Sequence, residues 1–162
     1  MAQTLGAERF RFLYRQGEGA IDARQWWAAS WPPAAIIVAL TLVWLIVAPR
    51  EARDLGHEKL IDWSIAATYA YLMIYVFVLF LCAVAEYFVC AKRFADRGKP
   101  AALAGLAPFA IFLAGAANWY QPRSEGTMPS WLTLVFDAAA LAALAWTVAE
   151  LGFGAGAPRA KE

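Results

Sequence analysis

The sequence has few charged residues, one histidine and two cysteines. Charged residues make up 17% of the 162 residues, whereas soluble domains carry about 25%. His57 has no second histidine with which to share a metal or haem, and its neighbours are charged. Cys82 and Cys90 lie in one apolar segment, about 12 Å apart along a helix, which is too far for a disulfide. We therefore expect buried thiols and no cofactor.

Motifs for catalysis or nucleic-acid binding are also missing. The chain has no glycine-rich phosphate loop, no nucleophile with a nearby base and no convergent pair of acids. Its net charge of +1 provides no concentrated basic surface, so no nucleic-acid partner is expected. The first residues lack the apolar core of a secretory signal, and we expect them to be retained.

Apolar and aromatic residues make up 62% of the chain and concentrate in four runs. A run of about 20 such residues can cross a bilayer as a helix. We therefore predict an all-α integral membrane protein, a four-helix transmembrane bundle forming one domain over 31–153. An N-terminal segment, 1–30, precedes it and a flexible tail, 154–162, follows. The predicted spans are 31–49, 63–90, 101–120 and 131–153.

Three of the spans have features that predict their geometry. Pro32 and Pro33 suit the start of a helix, where the first span begins. The second span would be about 42 Å long, beyond the roughly 30 Å hydrocarbon layer, so it must tilt or project. Pro108 should bend the third span in its middle. Because 101–120 is rich in alanine and glycine, an alternative is an interfacial or re-entrant segment, leaving three spans.

Basic residues predict the orientation of the bundle, since Lys and Arg concentrate in short cytoplasmic segments. Four spans place ten Lys and Arg residues on the side of both termini and four on the other side. We therefore expect both termini in the cytoplasm of a bacterial cell, with the protein in its inner membrane. Segment 1–30 mixes aromatic and basic residues and could lie in the headgroup layer as an amphipathic helix, interrupted at Gly17 and Gly19. It could serve as a general tether or as a specific docking element.

Two stretches resemble a known family. Residues 90–103, CAKRFADRGKPAAL, and residues 19–27, GAIDARQWW, resemble motifs of domain of unknown function 805, a YhaH-type family of small bacterial inner-membrane proteins. The chain looks like a diverged member, because the family's histidine is Ala95 here, its serine is Pro100, and its closing Asn-Arg-aromatic-Gly group is missing. The resemblance implies a small helical membrane protein and no established activity. The residues that match in kind are Lys92, Arg93, Phe94, Asp96, Gly98, Lys99, Gly19, Trp26 and Trp27.

The connection between spans two and three is a candidate binding turn. Its cations could face anionic headgroups, at about 1 kcal/mol each, or form a specific phosphate or lipid-headgroup site. Gly98 and Pro100 would turn the chain into the next span. The candidate residues are Lys92, Arg93, Asp96, Arg97 and Lys99, with Asp96 accepting from Arg93 or from turn amides.

Acids within the spans are candidate polar sites, because an ionised carboxylate in hydrocarbon costs at least about 2.5 kcal/mol. They could form structural pairs or an ion pathway. The candidates and their expected partners are Glu86 with Arg93 or Arg24, Asp137 with Asn118 or Arg123, and Glu150 with water near the inner surface.

Small residues in spans three and four predict close helix packing. Gly105, Ala107 and Gly115 are the candidate packing positions. Ala107, Ile111 and Gly115 would form one seam, and Ala110, Ala114 and Asn118 another. The helices that pack there could belong to this chain or to another protein.

The leading functional hypothesis is a non-catalytic accessory or assembly subunit of a respiratory, photosynthetic or transport complex. Its partners would be the lipid bilayer and other membrane-protein subunits. A small transporter or channel-like protein is the alternative, with Glu86, Asp137, Asn118 and the Pro108 bend lining a polar cavity. A third is a lipid-modifying membrane enzyme, which would depend on Glu86, Asp137 and tyrosines alone.

Overall fold

The computed structural model describes residues 2–50 and 62–156, and every regular element in these ranges is helical. The α-helices are α1 (Ala2–Arg15), α2 (Ala23–Val47), α3 (Trp63–Asp96), α4 (Leu106–Tyr120) and α5 (Ser130–Phe153). Short 3₁₀ turns cover Ala48–Arg50, Ala101–Gly105 and Gln121–Arg123. The predictions for 51–61, which includes His57, and for 157–162 concern residues outside the described ranges.

Four helical segments are long and apolar enough to cross a membrane: Ala23–Val47, Trp63–Asp96, Ala101–Arg123 and Ser130–Phe153. At most 22% of the residues in the most apolar window of each are buried within the protein, so the remaining apolar surface suits lipid contact. The prediction of an all-α, multi-pass membrane protein with four spans is confirmed.

The first span begins earlier than predicted. The Asp22 side chain accepts a 2.7 Å hydrogen bond from the Gln25 amide, and the Gln25 side chain accepts one of 3.3 Å from the Asp22 amide. This capping box starts α2 at Ala23 and places Pro32 and Pro33 inside the helix. The prediction that the prolines open the span at residue 31 is therefore wrong.

The second span is longer than predicted. α3 has 34 residues and continues to Asp96, which corresponds to about 51 Å. This length exceeds the hydrocarbon thickness of about 30 Å by more than predicted, so we still expect the helix to tilt or project.

The third span changes helix type before its proline. The 3₁₀ turn Ala101–Gly105 leads into α4, and Pro108 lies in the first turn of α4. An N–H at that position would have no α-helical partner within α4, so the proline breaks no bond there. The bend predicted at Pro108 stays a prediction. Helix α5 agrees with the predicted 131–153 to within one residue.

Helices α2 and α3 pack together, as do α4 and α5, while α1 and the 3₁₀ turn at 101–105 pack against α3. Buried apolar residues concentrate where the end of α3 meets the ends of α1 and α5 and the start of α2. We call this cluster the terminal core. It comprises Ile21, Trp26, Ala29, Val89, Cys90, Ala91, Phe94, Ala104 and Leu151.

Candidate functional site

Lys92 lies at the terminal core and its side chain is buried. Its ammonium group donates hydrogen bonds to the carbonyl oxygens of Leu13 (3.1 Å) and Phe88 (3.2 Å), and to that of Gln16. The ring of Phe12 lies 5.3 Å from the nitrogen. Leu13 is in the last turn of α1, where carbonyl groups lack helical donors and the helix dipole is negative. Lys92 therefore attaches the end of α1 to α3.

Arg93 makes the corresponding contact with α5. Its Nε donates to the carbonyl of Leu151 (2.9 Å) and one terminal nitrogen donates to that of Gly154 (2.6 Å). The other terminal nitrogen forms an ion pair with Asp96, as predicted. Only 2% of the residue is exposed. Arg93 thus supplies donors to the C-terminal end of α5.

Arg97 and Lys99 bind the same acid on α5. Arg97 lies 2.9 Å from the Glu150 carboxylate and also donates to the Glu150 carbonyl, and Lys99 forms an ion pair with that carboxylate. The Glu150 side chain is 17% exposed. This remaining exposure leaves room for the predicted contact with water, but the sequence did not indicate the two cations that cover most of the carboxylate.

The structure brings all five candidate turn residues together. Their environment differs from the predicted one, in which the cations face anionic lipid headgroups. Lys92 and Arg93 do not face headgroups; they are buried against protein carbonyls. The physical reason is that the last carbonyls of α1 and α5 need donors, and cations satisfy them best. We call these residues, together with Glu150, the terminal clamp.

Glu86 has hydrogen-bond partners that the sequence did not indicate. Ser30 on α2 donates a 3.0 Å hydrogen bond to Glu86 Oε2, and the Cys90 sulfur lies 3.9 Å from the same oxygen. The other carboxylate oxygen is buried and has no partner among the described residues. Neither Arg93 nor Arg24 pairs with Glu86, so both expected partners are wrong; the Arg93 side chain is directed to α5 instead.

Asp137 pairs with Asn118, as predicted. The Asn118 amide nitrogen donates to Asp137 Oδ1 (2.8 Å) and to the Ala114 carbonyl (3.0 Å). Arg123, the other expected partner, donates to the Trp119 carbonyl and lies over the Trp119 ring. Asn118 is exposed on the outside of the bundle.

The three candidate packing positions have different surroundings. Ala107 is buried, and a Cβ at Gly105 would lie 3.9 Å from the Tyr87 ring. A Cβ at Gly115 would meet nothing within 4 Å, and Ile111 is 49% exposed. The seam predicted through Ala107, Ile111 and Gly115 is therefore packed only at its first member. We call the open surface formed by Ile111, Gly115, Asn118 and Asp137 the α4–α5 flank.

Cavities lie at two places beside α1 and the terminal clamp. One lies between α1 and α2, and the other lies beside Arg93, Asp96 and Gly154. Glu86 and Asp137 line neither, and no contact joins them. Within the described ranges no group of three or more His, Cys, Asp or Glu residues could hold a metal ion.

No protein-family model, curated protein or solved structure matches this chain. The resemblance to domain of unknown function 805 therefore stays a prediction.

Proposed function

We propose that the protein is a non-catalytic accessory or assembly subunit of a larger complex in a bacterial inner membrane, and that it binds a partner helix on the α4–α5 flank. The observation that carries this proposal is the Asn118–Asp137 pair, which lies on the outside of the bundle beside the open Gly115.

The depth of this pair supports a protein partner. Asp137 lies seven residues after Ser130, about 10 Å along α5 from the start of the span. Polar groups at such a depth are expensive to expose to lipid and usually face protein. Both N–H groups of Asn118 are already used, so the pair offers only acceptor atoms if Asp137 is ionised. A partner helix with a hydroxyl, amide or cationic donor would satisfy them, whereas lipid tails would not.

The shape of the flank supports close approach of a helix. Gly115 lies three residues before Asn118, on the same face of α4, and nothing in the described protein fills the space above it. Small residues at the interface between two transmembrane helices let their backbones come close together. Van der Waals packing and interhelical hydrogen bonds can then form in the same contact.

The terminal clamp supports a structural role in place of a chemical one. Its cations bind the ends of α1 and α5, and they hold both terminal regions at one end of the bundle. In this proposal that end lies in the cytoplasm, in keeping with the excess of basic residues there. The transporter alternative needs a shared polar cavity for Glu86 and Asp137, and no observed contact favours it.

Purification from native membranes in a mild detergent tests the proposal. The wild-type protein should elute with a partner, and Gly115→Leu should lose that partner while melting at the same temperature, because a Cβ at this position has no described neighbour within 4 Å. Ala116→Leu is the control, since Ala116 is exposed on another face of α4. A wild-type protein that elutes alone, or equal loss of the partner in both variants, would contradict the proposal.

A further inference from the structure

A cavity of about 340 Å³ lies between α1 and the first turns of α2. Apolar side chains and small residues form much of its wall, with one cation and one amide beside them. Its lining includes Arg9, Phe12, Leu13, Gln25, Ala28 and Ala29.

Exposed tryptophans beside this cavity favour a position at the membrane surface. Trp27 and Trp31 flank Ala28 and Ala29 on α2 and are 42% and 72% exposed. Exposed tryptophan is enriched where hydrocarbon meets headgroups. α2 has 25 residues and would measure about 37 Å, so it is long enough for its first turns to extend past a hydrocarbon layer of about 30 Å.

Arg9 is the cation in this cavity, and it is free to bind a ligand. Its side chain is exposed, and it forms no ion pair or hydrogen bond with a described residue. Phe12 and Leu13 follow it by three and four positions, so they lie on the same face of α1. The arrangement places a guanidinium group beside an apolar wall.

We propose that this cavity binds an anionic phospholipid of the phosphatidylglycerol class. The Arg9 guanidinium binds the lipid phosphate, because its planar donors match phosphate oxygens in pairs. Phe12 and Leu13 contact the glycerol and the upper part of an acyl chain, and the Gln25 amide is placed to bind a headgroup oxygen. The cation that binds the lipid headgroup is therefore Arg9 on α1, whereas Lys92 and Arg93 are occupied within the terminal clamp. This inference is independent of the proposed partner on the α4–α5 flank.

The test uses the full-length protein in a neutral detergent, with phosphatidylglycerol binding followed by native mass spectrometry and by thermal stability. Arg9→Gln should weaken phosphatidylglycerol binding about fivefold, the loss expected for one basic residue at a membrane surface. Arg11→Gln is the matched control, because Arg11 is exposed on α1 but does not line the cavity. Ala28→Leu, which narrows the cavity and keeps Arg9, should also weaken binding.

Phosphatidylcholine and inorganic phosphate separate the possible sources of the effect. The proposal predicts stabilisation by phosphatidylglycerol that exceeds the effect of phosphatidylcholine, and none from inorganic phosphate. Equal weakening by Arg9→Gln and Arg11→Gln would overturn it in favour of diffuse surface charge. Equal stabilisation by inorganic phosphate, or no effect of phosphatidylglycerol on the wild type, would also overturn it.

Discussion

The hydroxyl of Tyr14 donates a 2.8 Å hydrogen bond to the carbonyl of Ala29. This carbonyl lies four residues before Pro33, which has no N–H group to bond it. A side chain from α1 thus supplies the donor that α2 lacks. Burial, and then the charge of Glu86, raises the pKa of Tyr14 above its ordinary value, so the phenol stays protonated and able to donate at neutral pH.

Replacing Tyr14 should test this relationship directly. Tyr14→Phe removes the donor and leaves the Ala29 carbonyl unpaired, so we expect a loss of about 1 to 3 kcal/mol in unfolding free energy. Denaturant or thermal unfolding in detergent measures the loss.

The matched background is Pro33→Ala, which restores an N–H group that can bond the Ala29 carbonyl within α2. In the Pro33→Ala background, Tyr14→Phe should lower the unfolding free energy distinctly less than it does in the wild type. The same cost in both backgrounds would show that the tyrosine does not substitute for the missing helical donor.

Lys92 should control the attachment of α1. Lys92→Met removes the charged donor from the Leu13, Gln16 and Phe88 carbonyls, with an expected loss of about 1.5 to 3 kcal/mol. Amide hydrogen exchange should become faster over residues 6–15 and stay unchanged in α5. Lys99→Gln is the control, because Lys99 is 40% exposed and its ion pair should contribute less than about 1 kcal/mol. Equal exchange over residues 6–15 in the two variants would contradict this assignment.

Arg93 should control the end of α5. A lysine cannot reach the Leu151 carbonyl, the Gly154 carbonyl and Asp96 together, so Arg93→Lys should cost at least about 1.5 to 3 kcal/mol. Hydrogen exchange should become faster over residues 150–156. The same substitution at Arg11, which is exposed on α1, provides the comparison; a similar cost there would mean that the geometry at Arg93 is not required.

Reporter fusions test the orientation of the bundle. Fusions at Met1 and Glu162 should both report the cytoplasm, because four spans would put ten basic residues on the side of the termini, and a fusion within 51–61 should report the opposite side. Termini on different sides of the membrane would contradict the four-span topology.

The spans could be predicted from the sequence because lipid imposes a strong requirement for length and apolar composition. The start of α2 was predicted wrongly because two local signals compete. Pro32 and Pro33 suggested a helix start near residue 31, whereas Asp22 and Gln25, three residues apart, can form a capping box and indicated the observed start at Ala23.

The role of the terminal clamp could not be predicted in the same way. Lys92 binds carbonyl oxygens 76 and 79 residues earlier in the chain, and Ser30 reaches Glu86 across 56 residues. Such contacts depend on how helices pack, which local residue patterns do not specify. By contrast, the contact between Asn118 and Asp137 could be predicted from the sequence, because the two residues lie near facing ends of consecutive spans.

Photo-crosslinking in native membranes tests the proposed docking surface most directly. A photoreactive side chain at Ile111 would lie on the α4–α5 flank, and one at Ala116 would lie on another face of α4. The proposal predicts a discrete protein adduct from position 111 and only lipid adducts from position 116. Lipid adducts alone from both positions would contradict the assignment of the flank to a protein partner.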